Sequence, residues 1–154
     1  MKTRDILIAL AAAAAALVAA AVAETQPSQN PAKARVTSAV YDWSKIEAHP
    51  TSFGSHRSFF DGPTATLENF ECHVTTLNPG ESPHPAHRHP NEEFVVIREG
   101  TLEVTLNGKS QIAGPGSVLF FASNDLHGLR NVGTTSATYH VFSFVTAATP
   151  KSVE

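Results

Sequence analysis

The chain has 154 residues, a formal charge of −3 with its histidines neutral, and 42% hydrophobic residues. That length fits one domain with an extra segment at an end, and the apolar content, which includes nine Phe, is enough for a core. The charge excludes a basic field that would attract nucleic acid or an anionic membrane surface. The single cysteine, Cys72, excludes an internal disulfide and a thiolate zinc site, and reads as a small buried hydrophobe in a strand. Eight His in a chain with five Lys direct attention to metal-ligand spacing.

At the N-terminus, Lys2 and Arg4 precede an uncharged run over residues 6–22 dominated by Ala and Leu, and Ala21-Val22-Ala23 is a small-residue cleavage pattern. Residues 1–23 are expected to form a cleavable signal helix, with Glu24 as the first mature residue. No arginine pair precedes the run and no Cys follows it, which favours the general secretory route without a lipid anchor. The protein is therefore expected to be periplasmic or secreted, with no stable membrane anchor after cleavage. An uncleaved anchor is the competing reading, because the run approaches the length that spans a bilayer. Residues 24–37 are polar and contain Pro, and read as a flexible linker. Residues 38–150 read as one domain without an internal repeat.

Within that domain, residues 44–48 hint at a helical turn. Residues 67–77 alternate and carry β-branched and aromatic side chains, as a strand does. Pro79-Gly80 signals a turn. Residues 94–98 form a short apolar strand, which Glu99-Gly100 links to a strand over 102–106. Asn107-Gly108 then marks a tight hairpin to residues 111–113, because both turn residues accept positive φ. Residues 118–121, 127–132 and 138–145 complete the strands. Many short strands with tight turns and no long helical pattern predict an all-β sandwich or barrel.

The segment from His87 to Glu93 reads HRHPNEE. On a strand, a spacing of two puts His87 and His89 on one face, so their imidazoles can converge on one ion. Pro90-Asn91 allows a reversal, after which Glu93 can return a carboxylate oxygen to the same ion. A third nitrogen must come from elsewhere, and His127 opens a later strand of suitable character.

Residues 80–100 resemble the first motif of the cupin superfamily, with Gly80, His87, His89, Glu93 and Gly100 at the motif positions. Residues 116–131 resemble its second motif, with Gly116, His127 and Asn131 in place. The Gly80–His87 gap is one residue longer than usual, Ala122 stands where Pro is usual, and Asn124 where Gly is usual; Asn tolerates a left-handed backbone. The short gap between motifs, residues 101–115, is that of a compact single-barrel, type-2 cupin. The resemblance implies a double-stranded β-helix, or jelly-roll barrel, with one divalent ion (Mn, Fe, Zn, Cu or Ni) on His87, His89, Glu93 and His127. It gives Asn131 a structural role, and it suggests a homodimer.

Other polar residues carry weaker signals. His84 can sit at the pocket mouth, though a solvated loop position is the simpler reading. Arg130, three residues after His127, should face away from the metal side. His73 and His140 lie in strands and either can line the barrel, with a satisfied structural histidine as the default reading, while His49 and His56 carry no signal. Phe120, Phe121, Phe142 and Phe144 read as barrel core and not as a stacking platform.

Four ligands on an ion that often takes six leave positions for a small-molecule ligand. The expectation is a metalloenzyme, dioxygenase-like or related, acting on a small oxygenated acid or phenol; the sequence names no catalytic residue. The alternative is a non-catalytic exported metal-storage or ligand-binding protein, and a weaker third reading is a barrel that only oligomerises. A wide polar cavity above the ion favours the enzyme.

Overall fold

Residues 33–151 are described by the computed structural model; the expected signal and most of the linker lie outside the described residues. Alternation builds the architecture. β3 (Asn69–Leu77) turns Glu71, His73, Thr75 and Leu77 to one face and Phe70, Cys72 and Val74 to the other. β4 (Glu92–Glu99) and β9 (Ala137–Val145) do the same beside it. With β1 (His49–Thr51), β2 (Gly54–Gly62) and β7 (Val118–Phe121) they form a six-stranded sheet in the order β1-β2-β3-β9-β4-β7. β5 (Leu102–Leu106), β6 (Lys109–Ala113) and β8 (His127–Asn131) form a second sheet in the order β6-β5-β8. The named strand pairs are all antiparallel.

The inner faces of the two sheets share one apolar cluster. Val95 and Ile97 of β4, Leu119 and Phe121 of β7, and Tyr139 and Val141 of β9 meet Leu102 and Val104 of β5 and Leu129 of β8. Each fully buried aliphatic side chain of this kind contributes roughly 1.5–3 kcal/mol relative to exposure. Asn131, fully buried at the end of β8, donates to the carbonyls of Leu77 and Thr135 at 3.1 and 2.8 Å and accepts from Gly133 N at 2.9 Å. Its role is structural, as it ties both sheets and the following turn together.

The predicted hairpin is present: Asn107 and Gly108 have φ of 48° and 82°, and Leu106 pairs with Lys109. Asn124 sits at φ 61°, the left-handed conformation expected of it. Sequence reading missed β1 and β2. The register of β2 shifts at a bulge between Ser58 and Phe60, which breaks the alternation that would have marked it. The helical turn is a single 3₁₀ turn, Trp43–Lys45, capped by Asp42, whose carboxylate accepts from Ser44 N at 3.0 Å.

Residues 33–46 cross the outer face of the large sheet. Val36 N donates to Pro63 O, and Lys33 pairs with Asp61. The guanidinium groups of Arg57 and Arg98 each pack over the Trp43 ring, at 4.6 and 4.5 Å from its centroid. The same outer face carries an aromatic groove. There the expectation of core burial fails for three of the four phenylalanines. Phe121 is inside, but Phe120 is 54% exposed, and Phe142 and Phe144 are half-buried beside it on the outer face with Phe70 and Phe94. The pleat is the cause, because neighbouring residues on a strand cannot both face inward.

Ile97→Ala is expected to lower unfolding free energy by about 2–5 kcal/mol, and Phe120→Ser by less than about 1 kcal/mol. Urea midpoints of the two variants against the parent check this, and equal losses would contradict the assignment of inner and outer faces.

Candidate metal centre

Backbone pairing brings the centre together. His87 N donates to His127 O at 2.9 Å and His127 N donates to His87 O at 3.0 Å, so the two residues form a hydrogen-bonded antiparallel pair. Such partners carry their side chains on the same face. Farther back, Gly80 N bonds to Asn131 O and Asn131 N to Glu81 O, so residues 80–87 run beside β8. The expected strand through both histidines is therefore only a single bridge at His87, with His89 in coil. Pro83, Pro85 and Pro90 have no N–H to donate, so no continuous ladder can form.

His89 follows the bridge and is held by Asn91, whose carbonyl accepts from Nδ1 at 2.8 Å. The carbonyl of Asp125 likewise accepts from His127 Nδ1 at 2.8 Å. Both rings thus carry their hydrogen on Nδ1 and keep a lone pair on Nε2. One nitrogen from each of His87, His89 and His127 lies within 4.8 Å of the others, so the three can hold a metal ion. Glu93 stands beside this group, with Oε2 3.5 Å from His89 Nε2. It enters from the start of β4, opposite Phe121 on one side and Ser143 on the other. The Phe121 ring stacks on His127 at 4.3 Å and 12° and fixes its plane.

The polar atoms fit an ion. His87 Nδ1 and His127 Nε2 are buried with no hydrogen-bond partner, an arrangement that costs on the order of 1–3 kcal/mol per atom unless something binds there. Burial first, then the neighbouring imidazoles His84, His127 and His89, hold His87 below its ordinary pKa. Burial does the same for His127, against the pull of the Asp125 carbonyl. Both rings therefore stay neutral and free to ligate. The Glu93 carboxylate holds His89 above its ordinary value, against burial.

The histidines open into a cavity of about 410 Å³. Phe121, Leu129, Tyr139 and Val141 line it, as does the exposed His84, whose ring centroid lies 4.2 Å from that of His87 in a T-shaped arrangement. Burial raises the Tyr139 hydroxyl well above its ordinary pKa, against a hydrogen bond with Thr75. Arg130 is exposed and donates to Gly80 O at 3.2 Å, away from the cavity. His140 packs on the outer face against Trp43, Phe59 and Phe142. His73 lines the cavity, together with its partner Glu71 and with His56, which carried no signal. The signal available for Glu71 and His73 was their alternation with apolar residues in β3; His56 had none, because β2 itself was not legible.

Residues 73–143 match the family model of the cupin domain. No curated protein matches the chain in sequence. Among solved structures, a RmlC-like cupin from Shewanella frigidimarina is similar with a TM-score of 0.59 at 13% identity, over 73% of this chain and 95% of that one. A polyketide cyclase from Streptomyces resistomycificus aligns with a TM-score of 0.57 at 21% identity, over 71% and 80% of the two chains. A protein described as a predicted oxalate decarboxylase from Thermotoga maritima aligns with a TM-score of 0.57 at 22% identity, over 70% and 99%. At these identities the likeness establishes the fold alone. Two facing antiparallel sheets, the match over residues 73–143 and three clustered imidazoles agree: the chain carries a cupin domain.

Proposed function

We propose that this cupin is an exported metalloenzyme that holds one divalent ion on His87, His89, His127 and Glu93 and acts on a small oxygenated molecule, an acid or a phenol. The observation that carries the reading is the pair of orphaned buried nitrogens, His87 Nδ1 and His127 Nε2, at the wall of an open cavity. When bound, the ion supplies a Lewis acid for oxygen ligands and can support dioxygenase-like chemistry. The protein's own share is orientation and exclusion of water. Asn91 and Asp125 set the tautomers of His89 and His127, Phe121 fixes a ring plane, and Asn91 also bonds Ser143 next to Glu93. Mn, Fe, Zn, Cu and Ni all suit this mixed nitrogen and oxygen set. The cavity volume falls within the range of small-molecule sites, which favours a catalytic role over metal storage.

Three measurements test this. Elemental analysis of protein from the exported fraction is expected to find one transition metal per chain; His127→Ala is expected to lose it and Glu93→Gln to retain it about 10–100-fold less tightly. A metal-free parent protein would overturn the reading. The ligands bind deprotonated, so dialysis at falling pH is expected to release the ion. Because His87 and His127 are held below their ordinary values, protons compete for them only at lower pH, and release is expected below about pH 6. Full occupancy well below that range would count against a histidine-based site. The mass of the exported chain is expected to begin at Glu24, and an intact N-terminus there would refute cleavage.

A further inference from the structure

The proposed ligands occupy one wall of the cavity. Strands β2 and β3 contribute His56, Glu71 and His73 to the same cavity. Because β3 pairs with β9 and β9 with β4, Glu71, Ser143 and Glu93 form one row across the large sheet, and His73, Val141 and Val95 form the next. Two strand spacings, about 9.5 Å at the backbone, separate Glu71 from Glu93.

His73 Nδ1 lies 2.9 Å from Glu71 Oε1. The hydrogen bond from His73 holds the Glu71 carboxyl below its ordinary value, against burial. An ionised carboxylate can only accept, so a hydrogen sits on His73 Nδ1 and Nε2 is the nitrogen left to meet a ligand. The His56 ring packs 4.6 Å from that of His73. Burial first, then His73, holds His56 below its ordinary value and so neutral. Among the described residues no Lys or Arg lines this cavity, while Glu71 and Glu93 both do. In the proposed site Glu93 is committed to the ion, so Glu71 is the carboxylate left to meet a metal-bound ligand, and the second negative charge of a dicarboxylate or phosphate meets like charge there.

We propose that His73, positioned by Glu71, is the proton acceptor for a neutral hydroxylated ligand, a phenol or enol, and that the cavity discriminates against dicarboxylates and phosphates. This rests on the reading of the cavity as a metal-holding catalytic site. In the step proposed, the ligand O–H bond breaks and its electron pair stays on the ligand oxygen. The proton forms an N–H bond at His73 Nε2, and the resulting imidazolium is balanced by the Glu71 carboxylate. Glu71 is a positioning residue, since it acts through His73.

The test is calorimetric titration of the zinc-loaded full chain with catechol and with oxalate near neutral pH, in buffers of different ionisation enthalpy so that proton release is counted. The parent protein is expected to bind catechol with little net release. His73→Gln is expected to weaken catechol about tenfold and to pass about one proton to the buffer, with zinc content unchanged. Glu71→Gln, which removes charge and keeps shape, is expected to strengthen oxalate about tenfold while weakening catechol; it carries the test alone if the His73 variant does not fold. A His73 variant that matches the parent in affinity and proton count, or oxalate binding indifferent to Glu71→Gln, overturns this proposal and leaves the metal-site reading standing. A zinc-loaded parent that binds neither ligand overturns both.

Discussion

Two backbone hydrogen bonds between His87 and His127 organise this molecule's chemistry. They join a coil segment too rich in proline to form a ladder to the first residue of β8. A hydrogen-bonded antiparallel pair leaves its side chains on one face, so the two imidazoles meet without help from side-chain packing. Gly128 admits the approach, since a Cβ there would lie 3.1 Å from Ala86. His89 then reaches the same point two residues on, and β4 returns Glu93 to its side.

The pleat governs the rest. Each strand of the large sheet divides its residues between an inner face that builds core and cavity and an outer face that meets the N-terminal strap or an aromatic groove. Within the inner face, polar residues gather at the cavity end: Glu71, His73 and Thr75 on β3, Tyr139 and Ser143 on β9, and Glu93 on β4. Below them the same strands carry Leu77, Ala137, Val95 and Ile97. Polar groups buried there need partners, and most have them, as His73 has Glu71 and Asn91 has Ser143. Two nitrogens at the centre do not, which is why an ion is the natural occupant.

Much of this was legible from residue order. The strands from β3 onward were readable because alternation, Asn-Gly and Gly turns act over a few residues. The proposed ligands were nominated from the spacing HRHPNEE and from a histidine opening a later strand. β2 escaped because its bulge disrupts the pattern, and His56 escaped with it. The phenylalanines were misplaced for a related reason: hydrophobicity says that a side chain avoids water, and only strand register says which face it takes.

Local rules, then, determined the class of fold, the hairpins and the identity of the clustered imidazoles, because turn chemistry and period-two alternation are properties of short segments. Tertiary structure alone decided that His87 and His127 are direct antiparallel partners, that Glu71, Ser143 and Glu93 share a row, and that His56 and His73 line the same cavity as the candidate metal ligands. Those relations depend on register between strands far apart in the chain, and register is set by the packing of the whole sheet.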